Sequence, residues 1–301
     1  MARQIILLEK GLAQLETHKV SVLIPCYNRA AHIGKVIEAV QVQTHPADEI
    51  IVVDDASTDE SREVVGELPV RLICHETNHG PAVARNTALQ AASGDILLYI
   101  DADAYAEDNL IAVLLAAYRG AETSTGGIGG RGIECHLESL YDRWRNYHAH
   151  QDFGPRARQN VPYLYGLCAS FKRDALAEVG GFDPFFPVNA GEDLDLGYRL
   201  KRAGYRLGYT PDAVVYHQHS DTHQSLKRVQ YRWYYWSYLA KQRTGFHPWT
   251  LYAGTLRRLL VDTLADLVLR RDLQLARLDI EIFSIKLRAL GHAARSLKPA
   301  C

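Results

Sequence analysis

Two pairs of carboxylates, each at the end of a short apolar run, are the residues of this sequence best suited to chemistry. Asp101 and Asp103 are two positions apart, so their side chains lie on one side of an extended chain. Such oxygen ligands suit Mg²⁺ or Mn²⁺, which bridge to substrate phosphates, although a solvated acidic turn is the alternative. Asp54 and Asp55 stand where α/β nucleotide-binding folds place an acidic side chain that accepts hydrogen bonds from a ribose or base. The two pairs therefore indicate a site for a nucleotide and a divalent metal.

The segments around these residues alternate between strand and helix patterns. Runs of aliphatic and β-branched residues predict strands over residues 20–24, 49–53, 70–74 and 95–100. Amphipathic segments between them predict helices over residues 32–43, 59–67 and 81–92. Alternating strands and helices build a mostly parallel sheet flanked by helices, in which ligands sit beyond the carboxyl ends of the strands. The predicted α/β fold therefore gathers the acidic pairs in one crevice.

After residue 104 the pattern is less regular. Helices are expected over residues 107–118, 137–150, 173 onward and 192–203, with a glycine-rich stretch over 126–132 and a loop over 151–162. Strands are expected over residues 163–171, 206–209 and 213–217, the last two as a pair. From Thr222 the chain becomes helical in pattern, with helices over 226–243 and 251–294 and a break at 244–248.

Composition and charge place the chain among globular proteins. Hydrophobic residues make up 47% and charged residues 23% of the 301 positions, which argues against a disordered chain. The net charge of −1 conceals an asymmetry, since residues 222–301 carry a net +9 and residues 1–221 a net −10. Nucleic acid binding needs clustered positive charge, so the acidic front part excludes a nucleic-acid platform.

The cysteines and the hydropathy pattern bear on location. The five cysteines are widely spaced, without a Cys-x-x-Cys pair, which favours a reducing, cytoplasmic setting. No run of about 18 uncharged apolar residues occurs, so neither a signal peptide nor a membrane span is expected. Residues 251–294 repeat leucine and isoleucine at helical spacing with arginines between them, which fits peripheral contact with the cytoplasmic face of a membrane. The alternative is packing on the rest of the chain or on a second copy in a homodimer. Five acidic residues that dilute the positive charge favour this packing, namely Asp262, Asp266, Asp272, Asp279 and Glu281.

Two common nucleotide-binding signatures are missing from the sequence. No Gly-x-Gly-x-x-Gly follows the first predicted strand, where Pro25, Tyr27 and Asn28 stand instead, and this argues against a dehydrogenase. No Gly-x-x-x-x-Gly-Lys-Ser/Thr occurs either, which removes a P-loop enzyme. The nucleotide site suggested by the acidic pairs must therefore be of another kind.

Five segments, in their order along the chain, resemble the family 2 glycosyltransferases, which are inverting enzymes with a GT-A fold. They are SVLIPCYNR at 21–29, VVDDASTD at 52–59, NHGPAVARN at 78–86, GDILLYIDAD at 94–103 and GEDLDL at 191–196. Each segment alone is weak evidence, but their agreement over residues 18–221 is specific. The resemblance implies a GT-A catalytic domain, of the Rossmann-like nucleotide-diphospho-sugar transferase type, over 18–221. An N-terminal extension over 1–17 and a helical C-terminal region over 222–301 flank it.

The resemblance implies transfer of a sugar from a nucleotide-diphosphate donor to the hydroxyl of a saccharide or lipid-linked acceptor, in polysaccharide or glycolipid synthesis. For the donor it implies Pro25 and Tyr27 at the base, Asp54 and Asp55 at the nucleoside, Arg85 at the base or diphosphate, and Asp101 at the ribose or metal. Glu192, next to Asp193, is also expected to bind the nucleotide sugar. For Mn²⁺ or Mg²⁺ it implies Asp103, Asp101 and His217, the last at a position where many GT-A enzymes carry a histidine. A zinc cluster of His217, His219 and His223 is the alternative, but His-x-His spacing without a carboxylate or cysteine partner is weak evidence for one. His219 and His223 are therefore expected to be surface residues.

Asp193 is the residue expected to act as general base. Inversion needs a single displacement, so a carboxylate on the opposite side of the sugar must take the proton of the acceptor. A buried carboxylate crowded by Glu192 has a raised pKa, which suits that role. The alternative is that both residues only cap a helix, since acidic side chains near a helix N-terminus contribute about 0.3–1 kcal/mol each.

Two rival functions remain on a fold of this kind. A sugar nucleotidyltransferase would release pyrophosphate and would usually carry a glycine-rich loop with a basic residue near the first strand, which residues 25–29 do not resemble. A non-catalytic nucleotide-binding module is the other rival, because a fold does not fix a function. The joint presence of Asp55, Asp101, Asp103 and Asp193 argues against such a module.

Overall fold

A computed structural model describes residues 18–244 and 248–296 of the chain. Its centre is a sheet of eight strands: β1 (Val20–Cys26), β2 (Glu49–Asp54), β3 (Arg71–Cys74), β4 (Ile96–Ile100), β5 (Ala104–Ala106), β6 (Thr125–Glu134), β7 (Cys168–Lys172) and β8 (Arg206–His217). The strand order is β3-β2-β1-β4-β7-β6-β8-β5. The expected N-terminal extension, residues 1–17, lies outside the described residues.

Helices cover the sheet and continue beyond it. They are α1 (Ala30–Gln41), α2 (Ser61–Gly66), α3 (Pro81–Ala91), α4 (Leu110–Arg119), α5 (Leu140–His148), α6 (Arg173–Glu178), α7 (Glu192–Arg202), α8 (His223–Gln242), α9 (Pro248–Ala265) and α10 (Leu273–Ser296). A π-helical turn, Asp266–Arg270, joins α9 to α10.

The sheet has a parallel part and a mixed part. Strand β1 pairs in parallel with β2 and β4, and β2 pairs in parallel with β3. Strand β7 then runs antiparallel to β4 and β6, while β6 and β8 are parallel. Both faces are covered: Val52 packs into the core cluster on one face, and Ile51 and Val53 pack into the cluster on the other. This explains the continuous apolar runs of the strands and confirms the α/β class with flanking helices.

Two strand predictions in the second half need correction. Strand β7 begins at Cys168 rather than at residue 163, because the preceding residues form an irregular segment in which the Gly166 N–H donates to Asp193 instead of to a neighbouring strand. The expected strand pair over 206–209 and 213–217 is one strand, β8. Tyr209 of β8 pairs with Gly129 of β6, and the next pair is Val214 with Arg131, so β8 contains extra residues between the two pairs. Pro211 lies in the resulting bulge, where no ladder hydrogen bond is required of it.

Three further segments complete the comparison with the predicted elements. The glycine-rich stretch over 126–132 belongs to strand β6, where the glycines allow close packing: a Cβ on Gly130 would lie 2.4 Å from the Ala213 carbonyl oxygen. The helix expected over 251–294 is interrupted at the π-helical turn, which ends at Arg271 with a φ of 53°. Helix α5 begins at Leu140, later than expected, because the Ser139 hydroxyl accepts the Asp142 N–H and caps it.

The C-terminal helices pack on the sheet domain through α5. Trp144 of α5 is fully buried in a cluster with Leu226 of α8 and with Leu278 and Ile282 of α10. Helix α8 begins with a capping box in which Thr222 accepts the Ser225 N–H. Across the described residues, no helix combines the length and the apolarity needed to cross a bilayer.

Candidate active site

The carboxyl ends of β1, β2 and β4 open into one cleft of about 830 Å³, and helices α8 and α9 form its far wall. A cleft at this edge is where an open α/β sheet binds its ligands. The cleft is lined by every residue that the sequence suggested for donor, metal or base except one. Those residues are Pro25, Tyr27, Asp55, Arg85, Asp101, Asp103, Glu192, Asp193 and His217.

Asp55 is held in place by the loop that precedes α3. Its carboxylate accepts the backbone N–H of Gly80 at 2.7 Å and of His79 at 3.0 Å, and it lies 2.7 Å from Nδ1 of His75. Gly80 has a φ of 89°, and a Cβ there would lie 2.4 Å from the Pro187 carbonyl oxygen. The loop therefore requires glycine at this position, and the loop in turn fixes the Asp55 carboxylate at the cleft.

Asp54 is the predicted donor residue that does not line the cleft. Its side chain is 1% exposed, and Oδ2 accepts hydrogen bonds from Arg62 Nε at 2.5 Å and from the Ser57 N–H at 3.1 Å. In an extended strand end, adjacent side chains point to opposite sides, so only one of the two aspartates can face the cleft. Asp54 therefore fixes the loop after β2, and the expectation that it sits beside the nucleoside is not met by this geometry.

Three side chains that could ligate a metal meet at one side of the cleft, and we call them the cleft group: Asp103, His217 and His219. One candidate ligand atom from each lies within 4.8 Å of the others. His217 Nε2 is 3.7 Å from Asp103 Oδ1, while its Nδ1 is 2.9 Å from Oε2 of Glu134. A carboxylate that receives one ring N–H leaves the other ring nitrogen free for a metal. One oxygen and two imidazole donors suit Mn²⁺ better than Mg²⁺, which prefers oxygen ligands alone.

The charges around the cleft group keep Asp103 ionised. Burial opposes ionisation, but the positive charges of His217 and Arg29 lower the pKa of Asp103 below its usual value. Arg29 Nε also donates to Asp103 Oδ2 at 3.0 Å. Burial likewise opposes protonation of His217, yet the hydrogen bond and charge of Glu134 raise its pKa. The carboxylate is thus present in the form that binds cations.

Asp101 does not belong to the cleft group. Its Oδ1 accepts a hydrogen bond from Arg85 Nη2 at 3.2 Å, which directs it toward a second cluster of charges. Arg85 is 1% exposed and also donates from Nη1 to Glu192 Oε1 at 2.8 Å, and its Nη1 lies 4.0 Å from Asp193 Oδ1. The guanidinium expected at the base or diphosphate is therefore already engaged by three carboxylates. It positions Asp101, Glu192 and Asp193 at the cleft.

Asp193 has the surroundings of a general base. Burial and the neighbouring Glu192 charge, opposed by Arg85, raise the pKa of Asp193 to about 7. Its side chain remains 22% exposed at the cleft, and Oδ2 accepts the Gly166 N–H at 2.8 Å. A Cβ on Gly166 would lie 2.5 Å from Arg85 Nη2, so a glycine is needed for this close approach. A carboxylate with a pKa near neutrality is suited to accept a proton and release it again.

Several residues of the site escaped prediction from the sequence. Glu134 is buried at the end of β6, and no motif marks it; only the parallel pairing of Glu134 with His217 brings it to the site. His219 was expected at the surface but joins the cleft group, and the His-x-His spacing was the signal for it. Helices α8 and α9 contribute basic side chains to the far wall of the cleft, namely Arg232, Lys241, Arg257 and Arg258.

Comparison with known proteins agrees with this geometry. Residues 21–180 match the sequence model of the family Glycosyl transferase family 2. A pre-mycofactocin glycosyltransferase of Mycobacterium tuberculosis is 30% identical over 209 residues, which cover 66% of this chain and 43% of that protein. A validoxylamine A glucosyltransferase of Streptomyces hygroscopicus subsp. jinggangensis is 28% identical over 239 residues, covering 68% and 57%. The aligned part is thus about half the length of these relatives.

A solved structure extends the similarity to almost the whole chain. It is a mannosyltransferase from Pyrobaculum calidifontis, PcManGT, in complex with GDP-Man and Mn²⁺. The two structures superimpose with a TM-score of 0.67 at 22% sequence identity, and the match covers 94% of this chain and 89% of the other. The shared fold therefore includes most of the C-terminal helical region.

Proposed function

Because the chain belongs to glycosyl transferase family 2, we propose that it transfers a sugar from a nucleoside diphosphate donor to an acceptor hydroxyl, with inversion at the anomeric carbon. One observation carries the proposal. Asp55, the pair Asp101 and Asp103, and Asp193 come from three separate segments of the sequence, and all four side chains line one cleft. A donor site needs groups for the nucleoside and for a metal-bound diphosphate, and an inverting reaction needs a base. The cleft holds candidates for each.

The donor lies, in this proposal, along the carboxyl ends of β1, β2 and β4. Pro25 and the half-exposed Tyr27 flank the base, and Asp55 accepts hydrogen bonds from the nucleoside. Asp101 faces the ribose, with its position set by Arg85. The GDP-Man complex of the structurally similar mannosyltransferase supports a nucleotide-sugar donor, while base and sugar stay open.

The cleft group would hold the divalent metal that family 2 enzymes with this fold use. Asp103 and His217 are the expected ligands, and His219 joins them. Bound there, the ion acts as a Lewis acid that stabilises the negative charge on a departing nucleoside diphosphate. Glu134 orients His217 by accepting a hydrogen bond from its Nδ1–H group. The nitrogen-containing donor set and the Mn²⁺ of the similar mannosyltransferase both support manganese.

Asp193 is the proposed base. It accepts the proton of the acceptor hydroxyl as that oxygen attacks the anomeric carbon and the bond to the diphosphate breaks. Arg85 and the Gly166 N–H fix the carboxylate, while burial and Glu192 keep its pKa near 7. The reaction therefore needs no covalent intermediate, and neither cleft-lining Cys26 nor buried Cys168 has a role as nucleophile; burial raises the pKa of both thiols to about 12.

The proposal divides the chain into an N-terminal extension over 1–17, a catalytic domain over 18–221 and a helical region over 222–301. The last strand, β8, ends at His217, and only helices follow it in the described residues, which supports this division. We place the protein in the cytoplasm, because the four cysteines in the described part of the chain are all free thiols. The acceptor, a saccharide or a lipid-linked compound, enters beside α8 and α9.

Thermal unfolding in the presence of UDP, GDP, dTDP and CMP, each with and without Mn²⁺, tests the donor site. Saturation at about 100 times Kd contributes about 2.7 kcal/mol, which raises the Tm of a protein of this size by several degrees. One nucleotide is expected to raise the Tm in a metal-dependent way, and that nucleotide identifies the base of the donor. If none of the four changes the Tm, the proposed donor site is wrong.

The exchange Asp193→Asn tests the base. Turnover should fall by about 10²–10⁴-fold, the usual contribution of a general base, while the nucleotide-dependent rise in Tm persists. Asp195→Asn is the matched control, because Asp195 lies in the same first turn of α7 but contacts Arg199 rather than the cleft. If the two variants have equal turnover, Asp193 is not the general base, and both aspartates act only as acidic residues at the helix N-terminus.

The pH profile gives a second reading of the same residue. The proposed base is active when ionised, and its pKa is raised to about 7, so kcat/KM should fall as the pH is lowered through 7. Glu192, Arg85 and Asp101 are the charged groups that set this value. Asp193→Asn should remove that limb of the profile from the residual activity. If the Asp193→Asn variant still loses activity as the pH is lowered through 7, a group other than Asp193 causes that pH dependence.

A further inference from the structure

Helix α9 and the π-helical turn present an apolar surface to solvent instead of to the core. Ten of the sixteen large apolar side chains exposed among the described residues lie between positions 249 and 280. On α9 the exposed set is Trp249, Leu256, Leu260, Val261 and Leu264, at the three- and four-residue spacing of one helical face. The turn continues it with Leu267, Val268 and Leu269, of which the last is 80% exposed. We call these eight side chains the α9 face.

The charges beside the α9 face have one sign. Between positions 249 and 273, every charged residue that is exposed is an arginine, namely Arg257, Arg258 and Arg271; of these, Arg257 and Arg258 also border the cleft. The three acidic residues of the same stretch are buried or paired: Asp266 is fully buried, Asp262 lies 3.7 Å from the ring of His148, and Asp272 caps α10 by accepting the Leu275 N–H at 3.1 Å. An apolar helical face bordered by cations is the pattern of a helix that lies in the plane of a membrane interface.

From this arrangement we propose that the α9 face docks on the surface of an anionic lipid bilayer. The bilayer offers an apolar interior for the leucines and the tryptophan and negative headgroups for the arginines. Two other occupants fit the charges less well. A second copy of the chain would place its own arginines against those of the first copy. Residues 1–17 carry two basic and two acidic side chains, so this segment has no net negative charge to attract the arginines. Charge complementarity therefore favours the anionic membrane as the occupant.

Docking in this way sets the orientation of the cleft. The inner side of α9 lines the cleft with Leu251, Gly254 and Thr255, and Arg257 and Arg258 lie at the cleft border. One helix therefore separates the proposed membrane surface from the proposed acceptor side. Resting on the proposed function, this arrangement favours an acceptor whose hydroxyl is carried by a lipid. The docking itself does not depend on catalysis and can be measured without donor or acceptor.

Sedimentation with vesicles tests the proposal on the full chain. Vesicles of phosphatidylcholine alone are compared with vesicles that contain about 30% phosphatidylglycerol. The anionic vesicles should bind at least tenfold more protein, and raising the salt should reduce the bound fraction because the arginine contribution is screened. Recovery in the supernatant with both kinds of vesicle would overturn the proposal, whereas the nucleotide-dependent rise in Tm would be unaffected by that result.

The double exchange Leu260→Glu and Leu264→Glu assigns the binding to the α9 face. Both side chains are more than 60% exposed, so the variant should fold and keep its Tm, yet vesicle binding should fall at least tenfold. Val42→Glu is the matched control, since Val42 is 65% exposed at the end of α1, outside this face. If both variants bind alike, the surface is elsewhere. If the unmodified protein does not bind vesicles but forms a dimer in light scattering, and only the double exchange disrupts that dimer, a second copy of the chain occupies the α9 face.

Discussion

Two clusters of histidine and aspartate in this molecule use the same side chains in different surroundings. The cleft group lines the proposed donor site. A second cluster, the helix group, joins His148 of α5, Asp266 of the π-helical turn and Asp279 of α10, and all three of its residues are buried. In each cluster the candidate ligand atoms lie within 4.8 Å of one another. Ligand type and spacing alone therefore do not separate a metal site from a structural network.

The partners of the helix group are groups of the chain itself. His148 Nε2 is 3.0 Å from Asp266 Oδ2 and 3.8 Å from Asp279 Oδ1. Asp279 Oδ1 also accepts the indole N–H of Trp144 at 2.8 Å, and Arg270 donates to Asp266 at 2.5 Å. These bonds connect α5, the π-helical turn and α10. The helix group thus ties the C-terminal helices to the sheet domain.

The pKa shifts of the two carboxylates have opposite directions, and this is the physical difference between the clusters. Burial is the largest influence on both groups and favours the protonated form. At Asp103 the charges of His217 and Arg29 overcome burial and lower the pKa. At Asp279, burial and the charge of Asp266 outweigh His148 and Trp144 and raise the pKa to about 6. At the open cleft the surroundings of Asp103 stabilise the ionised form that binds a cation, whereas in the closed helix group the surroundings of Asp279 destabilise its ionised form.

The largest effect should come from removing the carboxylate of the cleft group. Asp103→Asn is expected to lower Mn²⁺-dependent turnover about 10²-fold or more, because loss of a ligand weakens a charge stabilisation of several kcal/mol. The metal-dependent part of the nucleotide-induced rise in Tm should disappear with it. Asp279→Asn, the same exchange in the helix group, should leave both measurements within about twofold of the unmodified protein.

That pair of variants can also break the comparison. Should Asp279→Asn abolish the metal-dependent rise in Tm while Asp103→Asn preserves it, the metal would belong to the helix group. The metal content of both purified variants after dialysis shows which exchange removes the ion. A cooperative unfolding transition in the same samples shows that the variant is folded, because a misfolded protein lacks one.

A smaller effect is expected from the carboxylate behind His217. Glu134→Gln keeps the shape of the side chain but removes the charge that orients the imidazole, and such changes typically cost 10–100-fold in metal affinity. The concentration of Mn²⁺ that gives half-maximal activity should rise accordingly, with turnover at saturating Mn²⁺ largely restored. An unchanged Mn²⁺ requirement would show that His217 is not a ligand.

The sequence predicted the parts of this site that lie within motifs at strand ends. Asp103 and Asp193 follow recognisable segments, and local chain geometry brings them to the cleft. The different fates of Asp54 and Asp55 could not be predicted, because they depend on a turn in which Ala56 has a φ of 62°. Glu134 was out of reach as well, since its place beside His217 is created by strand pairing across more than 80 residues.

The outward face of α9 shows a second limit of prediction from sequence. Helical spacing of leucines predicts an amphipathic helix but not which side of it is buried, because inward and outward stripes have the same period. The structure buries Thr255 and Asp266 and exposes Leu260 and Leu264, the reverse of a usual core helix. Which face meets the core is decided by the neighbours of the helix, here by the contacts of Asp266 with His148 and Arg270.

The smallest predicted effect is on stability and concerns the helix group. Asp279 has a raised pKa of about 6 in the folded chain, so between about pH 4 and pH 6 the folded state binds more protons than the unfolded state. The free energy of unfolding should therefore fall as the pH rises through this range. Asp279→Asn imitates the protonated form and keeps an acceptor for Trp144, so it should flatten this dependence and stabilise the protein at pH 7.5 by up to about 2 kcal/mol.

Urea unfolding at pH 4.5, 6 and 7.5 measures this effect, with Asp266→Asn as the control. Asp266 is paired with His148 and Arg270, so its exchange should destabilise the protein at neutral pH by leaving two buried or half-buried donors with a weaker partner. The two variants of one cluster should thus change stability in opposite directions. If Asp279→Asn were as destabilising as Asp266→Asn at pH 7.5, the surroundings of Asp279 would stabilise its ionised carboxylate, and its pKa would not be raised. The pKa shifts of the two clusters would then have the same direction, and the distinction between them would fail.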